Sequence, residues 1–199
     1  LVIDAHNVTF EYPRSSRVLG LFVEYSFSRA DFVIVSNEGL TADVRRLGAT
    51  ALVLPDKLPQ LDSHPLPARF QQGQQHTITF ICSFNGDEPA DVFLSSIHHL
   101  PHGFRVFVTG DCSRAAAYHK YESDVIVFTD YLPRQEFEGL IQHSDLLVDL
   151  TTRGDCLVCG AYEALSAGVP AILSNHAPLR EMFPSGFLFA DNAIDSYQQ

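Results

Sequence analysis

Short apolar runs alternate with longer amphipathic stretches along the whole chain. The apolar runs predict β-strands at 1–4, 32–36, 51–54, 78–82, 105–109, 125–128, 146–149, 171–174 and 187–189. The stretches between them predict helices at about 15–29, 38–47, 89–99, 113–121, 133–143, 158–167 and 177–183. Short apolar strands that alternate with helices are typical of βαβ units with buried parallel strands.

Four prolines interrupt this alternation and predict a linker. They are Pro55, Pro59, Pro65 and Pro67, and a glutamine-rich stretch follows at 71–75. Prolines and polar residues in this density favour an extended connection. We therefore predict the C-terminal part of one α/β domain over 1–58, a linker over 59–75 and a doubly wound α/β domain over 76–199. The ligand of the second domain should lie beyond the carboxyl ends of its strands.

The composition is that of a globular protein. The 199 residues are 46% hydrophobic and 19% charged, which is enough for one domain and part of another. The chain begins in an apolar run without an initiator Met and ends where a helix should continue, so we interpret it as a fragment.

The charge balance narrows the range of partners. The net charge is −11 and only 13 residues are Lys or Arg, which argues against a nucleic-acid partner or an anionic membrane surface. No apolar run reaches the roughly 18 residues of a membrane-spanning helix. The expected location is cytoplasmic, with the inner face of the membrane as the alternative.

The cysteines and histidines show no metal-binding spacing. Cys156 and Cys159 form a C-x-x-C pair, but neither Cys82 nor Cys112 has a nearby Cys or His in the sequence. A zinc site would need a second pair of ligands at matching spacing. We interpret the cysteines as packed thiols and His98–His99 as a polar helix end, and we predict no metal site and no cofactor.

The stretch from 144 to 192 carries the most chemical information. A strand ends at Asp149, a polar loop follows over 151–155, and a helix begins near Val158 with Glu163 in its interior. This arrangement directs unpaired backbone N–H groups and the positive end of a helix dipole at the mouth of the sheet. A diphosphate would be stabilised there.

Two carboxylates in this stretch resemble a known family element. Asp155 and Glu163 are spaced like the E-x7-E element of group 1 (GT4-like) glycosyltransferases, with Asp in place of the first Glu. The segment 164–170, with the sequence ALSAGVP, resembles the continuation of that element. The resemblance implies the GT-B fold: two Rossmann-like doubly wound parallel-sheet domains that face a cleft. In this chain the first, acceptor-side domain would be truncated, and the second would bind the nucleotide sugar.

The same resemblance implies roles for residues around that element. Glu163 would accept hydrogen bonds from the ribose hydroxyls, and Asp155 would contact the donor sugar. The backbone at Leu157, Val158 and Cys159 would face the phosphates. The alternatives are that Glu163 is a solvated helix carboxylate and that Asp155 caps a helix.

Three strand ends elsewhere also resemble the family. Gly110 follows a strand where a residue without Cβ permits close backbone approach to the ligand, and Tyr131 and Leu132 would border the base. A plain strand-end turn is the alternative for Gly110 and Tyr131. His6 resembles a histidine that faces the cleft and the reacting sugar, and a hydrogen-bonded strand-end histidine is its alternative.

The chain departs from the family after the first strand of the second domain. Family members carry an Arg and a Lys there that hold the diphosphate, whereas the segment 82–89 holds two acids and no base. The helix N-terminus near Val158, together with Arg153 or Arg180, would have to stabilise the leaving group instead.

The family resemblance also implies a reaction. A sugar would move from a nucleotide diphosphate sugar to a glycan or lipid-linked acceptor, with retention of configuration and without a metal ion. The alternatives are a catalytically inactive binding or scaffolding homologue, favoured by the missing bases, and a GT-B sugar-nucleotide epimerase or phosphorylase. Peripheral membrane contact through a preceding segment also stays open.

Overall fold

The computed structural model describes residues 1–11, 15–71, 76–98, 100–101, 103–111, 113 and 116–197. The strands are β1 (Val2–Asp4), β2 (Phe32–Val35), β3 (Ala51–Val53), β4 (His76–Phe80), β5 (Phe104–Thr109), β6 (Ile126–Asp130), β7 (Leu146–Asp149), β8 (Ala171–Ser174) and β9 (Phe187–Ala190). The helices are α1 (Arg17–Ser28), α2 (Thr41–Arg46), α3 (Ala90–Ile97), α4 (Arg134–Gln142), α5 (Cys159–Ala167), α6 (Ala177–Met182) and α7 (Ile194–Tyr197).

The chain divides into two compact units. The first unit comprises Leu1–Lys57 and Asp155–Leu157, and the second comprises Leu58–Gly154 and Val158–Gln199. Each unit contains one parallel sheet, which confirms the prediction of two α/β domains with parallel strands.

The first unit is built on a three-stranded sheet in the order β1-β2-β3. Its central strand β2 is apolar, and Val33 and Val35 are fully buried in it. Phe10 and Phe27 pack edge to face beside them, with ring centroids 6.0 Å apart. The helix α1 begins after Ser16, whose Oγ accepts a hydrogen bond from the N–H of Leu19 at 3.4 Å.

The second unit is built on a six-stranded sheet in the order β6-β5-β4-β7-β8-β9. Counted within the unit, this is the 3-2-1-4-5-6 order of a doubly wound sheet. The direction of winding changes between β4 and β7, where Phe80 pairs with Val148. Ligands of doubly wound sheets bind beyond the carboxyl ends of the strands at this point.

The core of the second unit lies on both sides of β4. Phe80 is fully buried and packs against Phe93 of α3, with the two rings tilted and their centroids 4.6 Å apart. Val108 of β5 and Val148 of β7 flank Phe80 in the sheet, and both are also fully buried. Burying side chains of this size stabilises each by about 1.5–3 kcal/mol, so the central strands are held firmly beneath the site.

One predicted helix is wrong. The segment 113–121 contains only a short 3-10 turn, His119–Tyr121, among its described residues. Of its described residues 116–121, only Tyr118 and Tyr121 are half-buried and pack against the core, and the others are exposed. Isolated helices of this length are unstable in water, and alanine-rich composition does not change that.

Some predictions fall outside the described residues: those for His99, Cys112, 72–75 and 114–115. No helix in the described part of the chain is long and apolar enough to cross a membrane.

Candidate functional site

A cavity lies at the carboxyl ends of β4, β5 and β6 in the second unit. Its volume is about 560 Å³. The residues that line it are Cys82, Ser83, Thr109, Gly110, Asp111, Tyr131, Leu132, Arg134 and Phe137. Three of the predicted site residues, Gly110, Tyr131 and Leu132, therefore lie together.

Gly110 is required by its own surroundings. Its φ is +108°, and a Cβ added there would lie 2.2 Å from the carbonyl oxygen of Cys82. The sequence indicated close backbone approach at this glycine, and the structure shows that the approaching group is the backbone after β4. The glycine thus lets the ends of β4 and β5 come together beneath the cavity.

The end of β6 shapes the opposite wall of the cavity. Asp130 adopts a left-handed conformation, with φ +62°, and its Oδ1 accepts a hydrogen bond from the N–H of Tyr131 at 2.9 Å. This turn leaves the side chain of Tyr131 82% exposed while Leu132 is buried. An exposed aromatic ring beside a buried leucine can pack against a planar ligand.

The loop after β4 is closed by one of its own carboxylates. Glu88 accepts hydrogen bonds from the N–H of Ser83 at 3.0 Å and from the N–H of Asn85 at 2.8 Å. It also accepts a hydrogen bond from the hydroxyl of Ser83 at 2.8 Å. Phe84 between these donors has a φ of +57°, which turns the N–H groups of Ser83 and Asn85 toward one point, while its own N–H donates to Sγ of Cys82. This is the geometry of an anion-binding nest, and Glu88 occupies it.

Asp87, the other acid of this loop, ties it to the loop after β7. The carbonyl of Asp87 accepts a hydrogen bond from the N–H of Thr152 at 2.6 Å. Its carboxylate accepts a hydrogen bond from the hydroxyl of Thr151 at 3.2 Å and lies 3.5 Å from Nε of Arg153. The predicted cation Arg153 is therefore already paired with an acid.

The N-terminus of α5 faces Asp149 at the end of β7. The Asp149 carboxylate accepts a hydrogen bond from the N–H of Gly160 at 2.7 Å, and a Cβ on Gly160 would lie 2.5 Å from that oxygen. Burial raises the pKa of Asp149 well above its ordinary value, against the opposing effect of the Gly160 hydrogen bond, and the nearby charges of Glu88 and Glu163 raise it further. A raised pKa favours the neutral carboxyl, which weakens repulsion of an anion at this helix end.

The predicted ligand residues at this helix begin with Val158, at its N-cap position, and Cys159, its first residue. Glu163 lies one turn further on and is half-buried. Burial raises the pKa of the Glu163 carboxyl, and the charge of Glu138 adds to this. Within the described part of the chain no hydrogen bond to the Glu163 carboxylate is present. A half-buried carboxylate without a donor is suited to bind a ligand hydroxyl.

A polar network fixes the loop after β7 from the other side. The N–H of Thr151 donates to Oγ of Ser174 at 2.9 Å, and Ser174 in turn donates to Asn192 at 2.9 Å. The carbonyl of Thr151 accepts a hydrogen bond from Asn192 at 2.8 Å and lies 3.0 Å from Nε2 of His176. These bonds satisfy both backbone groups of Thr151.

The second cation suggested by the sequence, Arg180, lies on α6 and donates a hydrogen bond to the side chain of Asn175. The cation that does line the cavity is Arg134, the first residue of α4. Its Nε donates to Glu138 at 2.7 Å, and this contact holds the pKa of Glu138 below its ordinary value.

The remaining predicted site residues belong to the first unit. His6 precedes a 3-10 turn at Asn7–Phe10, and its Nε2 lies 3.9 Å from the carboxylate of Asp4. The carbonyl of Asp155 accepts hydrogen bonds from the side chains of Asn7 at 3.0 Å and Asn37 at 2.9 Å. Leu157 lies in the same segment. The structure thus groups His6, Asp155 and Leu157 in one unit and the other predicted site residues in the second.

Sequence reasoning missed three features of the site. Arg134 gave no signal because a base at the start of a helix is common on protein surfaces. The interactions of Glu88 and Asp149 depend on backbone N–H groups, which no residue type reveals. The acids in 82–89 were recognised as a departure from the family, but their role in closing the loop was not.

Comparison with known proteins identifies the architecture. No protein-family profile matches the chain, and no curated protein matches it in sequence. Among solved structures, HepE from Anabaena in complex with UDP and glucose superposes with a TM-score of 0.80 at 14% identity, over 100% of this chain and 60% of HepE. Sucrose-phosphate synthase from Thermosynechococcus elongatus gives 0.76 at 15% identity, over 99% of this chain and 56% of that one. The lipopolysaccharide outer core galactosyltransferase WaaB gives 0.58 at 16% identity, over 85% and 51%.

The chain has the GT-B fold. It spans about 60% of the length of HepE and a similar share of sucrose-phosphate synthase. In GT-B terms, the six-stranded second unit is one Rossmann-like domain, and the three parallel strands of the first unit are part of another. The fold predicted from the sequence is confirmed.

Proposed function

We propose that the protein is a retaining glycosyltransferase. It would move a sugar from a nucleotide diphosphate sugar to a glycan or lipid-linked acceptor, without a metal ion in the reaction. The observation that carries the proposal is the cavity of about 560 Å³ at the carboxyl ends of β4, β5 and β6. Its position beside the change of winding is where doubly wound sheets bind nucleotides. HepE, which shares the fold, has been solved in complex with UDP and with UDP-glucose.

Different residues of the second unit would bind different parts of the nucleotide sugar. Tyr131 and Leu132 would border the base, and Glu163 would bind the ribose hydroxyls. The backbone at Val158 and Cys159 would face the diphosphate, since a helix N-terminus stabilises negative charge. His6, Asp155 and Leu157 in the first unit are assigned to the sugar and phosphates by family resemblance.

The chemical step requires stabilisation of charge on the departing diphosphate. Arg153 is already paired with Asp87, so its charge is partly neutralised. The N-terminus of α5 therefore carries more of the stabilisation in this proposal, aided by Asp149, whose raised pKa favours the neutral carboxyl.

The first test is nucleotide binding, because it can be measured without knowing the acceptor. The chain is melted with UDP, GDP, ADP or CMP, and Glu163→Gln is compared with Glu181→Gln, which alters an exposed helix carboxylate. A nucleotide at about 100 times its dissociation constant should add about 2.7 kcal/mol to the free energy of unfolding. Stabilisation of the wild type and of Glu181→Gln, but not of Glu163→Gln, is expected. Equal stabilisation of all three proteins would remove Glu163 from the site.

A second function is favoured by one observation. Glu88 fills the nest after β4, and the segment 82–89 contains no base to hold a diphosphate. Both features suit a protein that binds a nucleotide sugar without transferring it. Release of UDP from UDP-glucose, followed by NMR, separates the two functions. Binding without release at millimolar donor would favour the binding protein.

A further inference from the structure

A group of metal-ligating side chains lies between α4 and the segment that precedes β4. Asp62, His64 and Glu138 each offer one ligand atom, and these atoms all lie within 4.8 Å of one another. The first two residues come from the extended segment and Glu138 comes from the middle of α4. Because they lie far apart in the sequence, spacing rules for metal sites do not reveal them.

The extended segment is fixed to α4 through its backbone. The carbonyl of Asp62 accepts a hydrogen bond from the side chain of Gln142 at 2.8 Å, and that of Gln60 accepts one from Arg134 at 3.2 Å. A Cβ on Gly139 would lie 2.5 Å from the carbonyl oxygen of Pro65, so the two backbones approach as closely as a glycine permits. The backbone around Asp62 and His64 is therefore positioned by contacts other than their side chains.

Glu138 supplies a buried oxygen without a hydrogen-bond partner. The residue is only 3% exposed. Its Oε1 accepts a hydrogen bond from Arg134, but Oε2 is buried and has no hydrogen-bond partner among the described residues. Leaving a carboxylate oxygen in this condition is costly, which indicates that something binds it. The imidazole of His64 lies beside this oxygen, with its Nε2 3.3 Å away. The backbone of Asp62 also approaches the Glu138 carboxylate and, like His64, lowers its pKa.

The 3.3 Å separation of His64 Nε2 and Glu138 Oε2 is the separation expected of two ligands that share a metal ion. Two ligands bonded at about 2.0–2.1 Å to a tetrahedral zinc ion lie about 3.3–3.4 Å apart. A neutral His64 with its Nε2 lone pair toward Oε2 would place two acceptors face to face, and a cation between them removes that repulsion. One imidazole and two carboxylates suit zinc better than calcium or magnesium, which prefer oxygen ligands.

We propose that Asp62, His64 and Glu138 bind a divalent transition-metal ion, Zn²⁺ foremost, with water in the fourth position. The ion would fasten the segment around residues 62–64 to α4 and take no part in sugar transfer. Arg134 would orient the Glu138 carboxylate through its other oxygen, as partners of metal ligands commonly do. This proposal does not depend on the glycosyltransferase assignment.

The alternative to a metal ion is a proton on Nε2 of His64. A protonated His64 would form an ion pair with Glu138, and zinc would then add nothing. The chain offers a matched control, because Nδ1 of His119 also lies 3.3 Å from a glutamate oxygen, that of Glu122, but both of those side chains are exposed. The two pairs share a separation and differ in burial and in the third ligand.

The test titrates the chelator-treated full chain with zinc sulfate and follows calorimetric heat and melting temperature. Wild type, His64→Ala, Asp62→Asn and His119→Ala are compared. Removing a mere partner of a metal ligand costs about 10–100-fold in affinity, so loss of the ligand His64 should cost at least that, while His119→Ala should bind like wild type. Cobalt should give the visible spectrum of a tetrahedral site in wild type and lose it in His64→Ala.

Two results would overturn the proposal. One is the absence of zinc binding or of a rise in melting temperature in the wild type, which would leave the protonated ion pair as the occupant. The other is equal zinc affinity in wild type and His64→Ala, which would place the ion elsewhere. Asp62→Asn serves as the second variant, because its exposed side chain can change without disturbing the fold.

Discussion

The carboxyl ends of the strands differ between the two halves of the second unit's sheet. We call the half with β5 and β6 the cavity side and the half with β7 and β8 the bonded side. Around the ends of β5 and β6 the chain leaves a cavity, with an exposed ring at Tyr131 and a close approach at Gly110. Around the ends of β7 and β8 the loop groups are bonded to one another, and both backbone groups of Thr151 are held by side chains. Ser174, at the centre of that network, is fully buried.

Polar groups that are bonded to one another stabilise the fold, whereas groups without internal partners are available to bind a ligand. Polar groups with internal partners cannot bind a ligand without giving up existing hydrogen bonds. The cavity side therefore carries the base contact in our proposal, at Tyr131 and Leu132. The bonded side holds the loop after β7 in place, and α5, which follows this loop, supplies Glu163 and the helix N-terminus. Glu88 is the exception, because it lies on the cavity side and yet fills a nest of N–H groups.

The largest effect is expected from Gly110→Ala. The added Cβ would overlap the carbonyl of Cys82 in a backbone conformation that disfavours side chains, which should cost roughly 2–4 kcal/mol of unfolding free energy. Gly154→Ala is the control, because nothing lies within 4 Å of its added Cβ. Urea unfolding measures both variants. Similar stability of the two would show that the ends of β4 and β5 can separate at little cost.

The next effect concerns the loop after β4. Glu88→Ala leaves the N–H groups of Ser83 and Asn85 without their acceptor, at a cost of about 1–3 kcal/mol. The emptied nest should then bind an anion, so inorganic phosphate should restore stability in Glu88→Ala and have little effect on the wild type. Thermal melting with and without phosphate checks this, with Glu122→Ala, an exposed glutamate, as control. Failure of phosphate to restore stability would mean that the loop collapses without its carboxylate.

Some elements of the fold could be predicted from the sequence and others could not. The prediction matches β7 and β8 residue for residue, because buried parallel strands read as continuous apolar runs. The helix predicted at 113–121 is wrong, because a stretch between two apolar runs need not be helical and an isolated helix of this length is unstable in water. Gly110 was identified as a point of close approach, but the approaching group depended on the register of β4 and β5, which composition does not reveal.

The candidate site was predictable only where residue types carry the chemistry. Glu163 could be singled out by its spacing and its apolar neighbours. The pairing of Arg153 with Asp87 could not, because the contact joins two loops distant in the sequence. The contact between His64 and Glu138 could not be predicted either, because these residues are also distant in the sequence.

The third prediction concerns Asp149, at the end of β7, and the pH dependence of the free energy of unfolding. Its pKa is raised in the folded protein, so the folded state keeps a proton that the unfolded chain releases above its ordinary pKa of 3.8. The free energy of unfolding therefore falls as pH rises from that value toward the folded pKa, by up to about 1.4 kcal/mol per pH unit. Asp149→Asn keeps an acceptor for the Gly160 N–H and should flatten this slope, making the variant relatively more stable at neutral pH.

Chemical unfolding at a series of pH values measures the slope for Asp149→Asn. Asp124→Asn, at an exposed position, is the control and should keep the slope of the wild type. A steeper slope in Asp149→Asn would mean that the buried carboxyl is ionised and stabilised by the N-terminus of α5.

The smallest effect on stability is expected from Tyr131→Ala. The side chain is 82% exposed, so its removal should change the free energy of unfolding by no more than about 0.5 kcal/mol. If the ring packs on the base of the nucleotide, the same change should weaken binding by about 1–3 kcal/mol, the usual contribution of base–aromatic stacking. Calorimetric titration with the nucleotide that stabilises the wild type measures this, and Tyr25→Ala, an exposed tyrosine of the first unit, is the control. Unchanged affinity in Tyr131→Ala would place the base away from the end of β6, leaving the cavity to another part of the donor.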